Sequence, residues 1–131
     1  MDALSNHDLS YYVVFVAGLL PYMFTGLAKF GTGRPYNNHD PRAFLEKAEG
    51  RHRRANNAQM NSFEAFPFFA VGVLVAHQNL PTDGSFMSLN IICLAYICFR
   101  LAYGWAYISD KASLRSILWF IAIALAGSLY F

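Results

Sequence analysis

Apolar residues along the chain fall into four long stretches that polar segments separate. The stretches cover about residues 9–28, 55–78, 86–108 and 114–131, so each is roughly 18 to 24 residues long. At about 1.5 Å per residue, a helix of that length crosses the roughly 30 Å hydrocarbon core of a bilayer. The pattern therefore predicts an all-α membrane protein, a single domain in which four transmembrane helices form a bundle.

The polar segments carry signals for helix caps and turns. In the longest of them, about residues 29–54, Asp40 precedes Pro41, a pair that is typical of a helix N-cap followed by proline at the first helical position. We expect a short helix from Arg42 toward Arg54 that leads straight into the second span. Residues 81–84, with the sequence Pro-Thr-Asp-Gly, predict a turn between the second and third spans.

Charge is scarce and unevenly placed, which supports a membrane location and orients the chain. Charged residues make up 14% of the sequence, whereas soluble domains average about 25%. All Lys and Arg residues fall in two windows, 29–54 and 100–115. Because short basic loops mark the cytoplasmic side, we expect the loop 29–54 in the cytoplasm and both termini on the non-cytoplasmic side. A basic arm between two apolar runs is not typical of nucleic-acid binding, so the expected partners are membrane lipids.

The other reactive residue types give no metal or disulfide framework. Cys93 and Cys98 are five residues apart, which places them on different faces of a helix, and we interpret them as small buried hydrophobes. The four histidines have no metal-ligand spacing, and the sequence contains no Gly-rich phosphate loop or nucleophile elbow. The sequence therefore predicts no metal site.

Polar residues inside the predicted spans form two stripes near the cytoplasmic ends. In the second span the spacing is three, four and three, which defines one helical face: Arg54, Asn57, Asn61 and Glu64. In the third span it is four, three and four: Tyr96, Arg100, Tyr103 and Tyr107. At the same level the fourth span opens with Arg115, Ser116 and Trp119. A charged group at membrane depth costs at least about 2.5–3.5 kcal/mol, so we expect Glu64 to pair with Arg100.

Two interpretations of the stripes remain open. In the first, the polar groups only tie helices together, while Arg51, Arg53 and Arg54 anchor to anionic headgroups. In the second, the cations, amides and phenols hold a small anionic, peptide-like ligand that enters from the cytoplasm. Ser116 beside Arg115 would then donate a hydrogen bond to a thiolate. Its alternative role is that of a helix-start hydroxyl that satisfies a backbone group.

Two longer motifs surround these stripes. The first runs from Asp40-Pro-Arg-Ala-Phe44 to Arg54-Ala-Asn-Asn-Ala-Gln-Met-Asn61-Ser-Phe-Glu64-Ala-Phe-Pro67-Phe. The second is Arg100-Leu-Ala-Tyr103-Gly-Trp-Ala-Tyr107, continued by Leu114-Arg115-Ser116-Ile-Leu-Trp119. At these residues the chain resembles the family of membrane-associated proteins in eicosanoid and glutathione metabolism (MAPEG), in particular its bacterial members. The order and spacing of the motifs match the family, and so does the four-helix length of the whole chain.

The resemblance implies a homotrimer that binds glutathione, as a cosubstrate, between neighbouring subunits near the cytoplasmic face. The family positions that contact glutathione or support its thiolate correspond here to Asn61, Glu64, Arg100, Tyr107, Arg115 and Ser116. With the neighbouring polar residues Arg54, Tyr103 and Trp119 these form the expected site, in which Arg115 and Ser116 are the catalytic pair. The chain departs from the family at three positions. Eukaryotic members that use glutathione carry Arg at the position of Asn57, often His at the position of Gln59, and a second Arg at the position of Met60.

The expected function is a glutathione-dependent transferase or peroxidase that acts on lipophilic electrophiles in a membrane, which we expect to be a bacterial inner membrane. The alternative is a non-catalytic protein with the same fold, either an accessory subunit of a larger membrane complex or a lipid-binding scaffold. In that alternative Asn61, Glu64 and Arg100 would only hold the trimer together.

Overall fold

The structure is a computed structural model that describes residues 6–80 and 85–131. Five α-helices lie wholly within these residues: α1 (Ser10–Lys29), α2 (Pro41–Glu46), α3 (Gly50–Asn79), α4 (Met87–Ile108) and α5 (Ala112–Ser128). The four longer helices form a bundle in which α1 packs most extensively on α3, and α4 on α5. The turn that the sequence predicts at residues 81–84 lies outside the described residues.

Three of these helices, α1, α3 and α4, are long and apolar enough to cross a membrane. Helix α5 is also apolar but has 17 residues, about 25 Å at 1.5 Å per residue, so a fourth span stays a prediction. Large apolar side chains cover the outside of the bundle; Phe15 and Phe120, for example, are 67% and 66% exposed. Such a surface suits lipid rather than water, and the chain is an integral membrane protein.

Helix α2 is separate from α3. Asp40 and Pro41 begin it as the sequence predicts, since the Asp40 carboxylate accepts a hydrogen bond at 3.1 Å from a backbone amide of the first turn. The helix ends at Glu46, the backbone is extended at Glu49, and Gly50 has a φ of +54°. The expectation of one helix running straight into the second span is therefore wrong, because the extended and left-handed residues interrupt it.

The core between the helices consists of small and aromatic side chains. Ala58, Ala106 and Ala122 are at most 1% exposed, and small side chains of this kind let membrane helices approach closely. Phe69 of α3 and Tyr96 of α4 stack with their ring centroids 3.8 Å apart. This packing holds α3 against α4 and brings the polar stripes of the two helices to the same level.

Two hydrogen bonds show which helix ends lie together. Arg54 Nε donates to the Ile108 carbonyl at 3.0 Å, and His52 Nδ1 lies 3.0 Å from a carbonyl of α1. The end of α1, the start of α3 and the end of α4 therefore meet, and both basic windows, 29–54 and 100–115, converge there. We call this the basic end of the bundle. The opposite end holds the start of α1 and the end of α5.

Candidate functional site

Arg100 lies at the centre of a polar cluster between α3 and α4. Its side chain is 2% exposed, and Nη2 donates hydrogen bonds to Asn61 Oδ1 at 3.0 Å and to Ser62 Oγ at 3.1 Å. The guanidinium lies over the Tyr103 ring, 4.4 Å from its centroid. Neutral oxygens and an aromatic face thus hold the cation in place.

Glu64 does not pair with Arg100. Over residues 6–80 and 85–131, the single ion pair within 4.0 Å joins His77 to Asp8 at the other end of the bundle. Glu64 follows Asn61 by one helical turn, but it is exposed on the outside of the bundle. The expected Glu64–Arg100 pair is therefore wrong for the single chain, because Asn61 and not Glu64 faces the contact between α3 and α4.

Polar and aromatic side chains continue from Arg100 along α4 toward the basic end. The rings of Tyr103 and Tyr107 meet edge to face with centroids 5.7 Å apart. The Arg115 guanidinium of α5 lies over the Tyr107 ring, 4.5 Å from its centroid. The structure thus brings four of the predicted site residues into one series, with a guanidinium at each end.

Beside Arg115 the surface forms a small cavity of about 120 Å³ between α4 and α5, lined by Tyr103, Arg115, Ser116, Trp119 and Phe120. Sites that enclose a small molecule usually measure about 300–1000 Å³, so the single chain presents only part of such a site. Ser116 Oγ donates a hydrogen bond to the Ala112 carbonyl at 3.2 Å. This is the backbone contact that the sequence left open as the alternative role of the hydroxyl.

Two further polar groups lie away from Arg100. Arg54 donates to the Ile108 carbonyl at the C-terminus of α4, where the exposed carbonyls of a helix favour a cation. Gln59 lines a different cavity, of about 440 Å³, between α2 and α3. Its Oε1 atom is buried and has no hydrogen-bond partner in the described part of the chain. Three members of the α3 stripe thus lie in different surroundings: Arg54 at the end of α4, Asn61 beside Arg100 and Glu64 on the outside of the bundle.

Sequence reasoning missed Ser62 and a polar cluster at the end of the bundle away from the basic end. Ser62 lies outside the stripe spacing, so the sequence gives no signal for its hydrogen bond with Arg100. In the distant cluster Ser10 Oγ donates to Asp8 Oδ1 at 2.5 Å and lies 2.8 Å from His77 Nε2. His77 meets partners about 67 positions earlier in the chain, so no local pattern could reveal it. Within the described segments no group of three or more His, Cys, Asp or Glu side chains could hold a metal ion.

The fold and the site define a class: an α-helical integral membrane protein with a buried arginine and an aromatic series that leads to its basic end. The family model of MAPEG, the membrane-associated proteins in eicosanoid and glutathione metabolism, matches residues 9–131, nearly the whole chain. The chain belongs to the MAPEG family. No curated protein and no solved structure matches it significantly.

Proposed function

We propose that the chain is a glutathione-dependent transferase or peroxidase that acts on lipophilic electrophiles in the membrane. The observation that carries this proposal is Arg100, a buried cation that, among residues 6–80 and 85–131, is held by neutral acceptors and an aromatic ring. A charge buried without a counter-ion is costly, so a carboxylate of a ligand would be strongly favoured there. Membership in a family of glutathione and eicosanoid metabolism makes glutathione the first candidate.

Glutathione has two carboxylates, one ammonium group and one thiol, and the proposed site offers a partner for each of them. Arg100 and Arg115, at the two ends of the aromatic series, would each bind a carboxylate through N–H donors. Asn61 offers an amide to the peptide groups, and the exposed Glu64 offers a carboxylate to the ammonium. Tyr103, Tyr107 and Trp119 would supply the walls, and Arg54 would add positive charge at the entrance.

Arg115 and Ser116 are the proposed catalytic residues. A neighbouring cation and a hydrogen-bond donor both favour the thiolate over the thiol, and the thiolate is the nucleophile. In a transfer reaction its sulfur forms a bond to an electrophilic carbon while the bond from that carbon to its leaving group breaks, and the leaving group departs as an anion such as chloride. In peroxide reduction its sulfur takes one oxygen as the O–O bond breaks and an alcohol leaves, and a second glutathione thiol then forms the disulfide and releases water. The Ser116 hydroxyl is exposed, and its bond to the helix backbone has a net worth of only about 0.5–1.5 kcal/mol, so it can turn to the sulfur.

A homotrimer would complete this site. The cavity beside Arg115, about 120 Å³, is too small to enclose a tripeptide, and Glu64 and Ser116 lie exposed on the outside of the bundle. A neighbouring copy placed against that surface would close the cavity. By the positive-inside rule the site would face the cytoplasm of a bacterium, with both termini beyond the other face of the inner membrane.

Thermal unfolding of the purified protein in detergent, with and without glutathione, tests the proposal. A ligand that binds only the folded state stabilises it by about 2.7 kcal/mol at a hundredfold excess over its Kd. We expect millimolar glutathione to raise the unfolding midpoint of the wild type. Arg115→Ala should lose most of that shift, whereas Arg53→Ala, which removes an exposed cation at the same end, should keep it. The absence of a shift in the wild type would contradict the proposal.

The non-catalytic alternative rests on one observation, the bond from Ser116 Oγ to the Ala112 carbonyl, which gives the hydroxyl a structural role. A conjugation assay with a chlorodinitrobenzene electrophile separates the two functions. If neither the wild type nor a variant conjugates glutathione, the accessory or lipid-binding function is favoured. If the wild type conjugates glutathione and Ser116→Ala and Arg115→Ala do so at the same rate, the catalytic assignment of those two residues is contradicted instead. Purification in mild detergent with a stoichiometric partner protein would favour the non-catalytic alternative as well.

A further inference from the structure

A second cavity at the basic end lies outside the site described above. Its volume is about 270 Å³, and it lies between the segment after α1, the end of α2 and the first turn of α3; it is lined by Thr32, Arg34, Lys47, Glu49 and His52. We call it the loop cavity. Helix α1 ends at Lys29, and the next residue, Phe30, is 66% exposed. The loop cavity therefore lies just beyond the end of a spanning helix, at the level of the lipid headgroups.

Hydrogen bonds to the backbone hold three of the five lining side chains in place. Arg34 Nη2 donates to the Lys47 carbonyl at 3.0 Å, and Thr32 Oγ1 accepts from the Arg34 amide at 3.2 Å. His52 Nδ1 lies 3.0 Å from the Leu27 carbonyl; since a carbonyl can only accept, Nδ1 carries the hydrogen and Nε2 stays available. A site whose side chains are already ordered loses less entropy when a ligand binds.

Positive charge exceeds negative charge around the loop cavity. Arg34 and Lys47 are cations, His52 becomes one when protonated, and Glu49 is the one carboxylate of the lining. Asp40 borders an adjoining cavity and is engaged as the N-cap of α2. In the described part of the chain no carboxylate lies within 4.0 Å of either cation. Two cations without a carboxylate partner, in a lining that also contains the Thr32 hydroxyl, suit a phosphate group.

We propose that the loop cavity binds the phosphate of an anionic phospholipid headgroup. Inorganic phosphate offers the same chemistry, but the position at the end of α1 and the exposed Phe30 beside it favour a lipid, whose acyl chains would lie along the helix. The volume leaves room for a phosphodiester and part of its glycerol. None of the lining residues belongs to the glutathione site, so this proposal stands or falls independently of that one.

Native mass spectrometry of the purified protein in a neutral detergent measures the binding, with phosphatidylglycerol compared against phosphatidylcholine. The test variant combines Arg34→Gln with Lys47→Gln. Its matched control combines Arg51→Gln with Arg53→Gln, two exposed cations of the same end that lie outside the loop cavity. Both variants lose two positive charges and therefore the same general attraction to an anionic surface. We expect the cavity variant to bind phosphatidylglycerol about tenfold more weakly than the control variant.

Equal losses in the two variants would overturn the proposal, because net charge alone would then explain binding. Equal affinity of the wild type for the two lipids would overturn it as well. Thermal unfolding in detergent, with inorganic phosphate replacing chloride at equal ionic strength, tests the other source of phosphate. A shift with phosphate that the cavity variant abolishes, without a preference for the anionic lipid, would assign the cavity to free phosphate instead. If the double variant fails to fold, Lys47→Gln alone carries the test.

Discussion

A methyl group added at Gly104 tests the close packing of α1 against α4. The Cβ of an alanine would lie 2.0 Å from Phe24 Cζ and 2.5 Å from Phe24 Cε1, whereas carbon atoms pack about 3.5–4.0 Å apart. Phe24 is 2% exposed, so its ring has no free space to enter. Overpacking costs about 1–3 kcal/mol, and the size of this overlap favours the upper end. The better helix propensity of alanine returns about 1 kcal/mol, which leaves an expected net loss of about 2 kcal/mol in the free energy of unfolding.

Reversible unfolding in mixed micelles with increasing sodium dodecyl sulfate measures this loss. Gly26→Ala is the matched control, because it changes a helical glycine whose added Cβ meets nothing within 4 Å; we expect it to gain about 0.5–1 kcal/mol. Phe24→Leu should rescue Gly104→Ala in part, since a shorter side chain removes the clashing atoms, and the double variant should lose less than the sum of the two single changes. If Gly104→Ala unfolds at the same detergent fraction as Gly26→Ala, the inference that α1 and α4 pack closely at Gly104 is wrong.

Three further substitutions have defined outcomes. Asn61→Leu removes an acceptor from the buried Arg100 and should cost about 1.5–3 kcal/mol in the same unfolding assay; a loss under about 0.5 kcal/mol would mean that the arginine is held by other contacts. Asn90→Leu removes two hydrogen bonds to the backbone before α1, at 2.9 and 2.7 Å, and should speed amide hydrogen exchange at the start of that helix but not at the basic end. Ser116→Ala should cost no more than about 1.5 kcal/mol of stability yet slow glutathione conjugation, and an unchanged rate would contradict its catalytic role beside Arg115.

The length of the apolar stretches predicted where helices run but not how they connect. Helices α1, α3 and α4 contain long apolar runs, and the length of such a run can be compared directly with the thickness of the hydrocarbon core of a bilayer. The break before α3 depends on an extended Glu49 and a left-handed Gly50. A glycine in a polar segment allows that backbone conformation without requiring it, so the sequence was equally compatible with one continuous helix.

Helical spacing predicted which polar residues share a face but not where that face points. Asn61 and Glu64 are three residues apart, which leaves them about 60° apart around the helix axis. That angle is enough for Asn61 to meet Arg100 while Glu64 lies on the outside. Tyr107 and Arg115 contact each other across a tight turn between α4 and α5. The sequence predicted that the two residues lie at the same level in the membrane, but not that they touch. Ser62 lies on a different face of the same helix from both Asn61 and Glu64, and the spacing of the polar residues gives no signal for it.

The charge of Arg100 has two possible counter-ions, and they compete. Arg100 lies eight residues before the end of α4, about 12 Å along the helix axis, and its hydrogen bonds to neutral oxygens offset only part of the cost of burying it. The rest can be offset by a ligand carboxylate or by Glu64 of a second copy. If Glu64 binds the ammonium of glutathione, as proposed, Glu64→Gln weakens glutathione binding. If Glu64 instead pairs with Arg100 of a neighbouring chain, the same substitution frees the arginine and strengthens binding. Calorimetric titration measures whether Glu64→Gln weakens or strengthens glutathione binding. The sign of that change therefore decides whether Arg100 pairs with a carboxylate of the ligand or with Glu64 of a second copy.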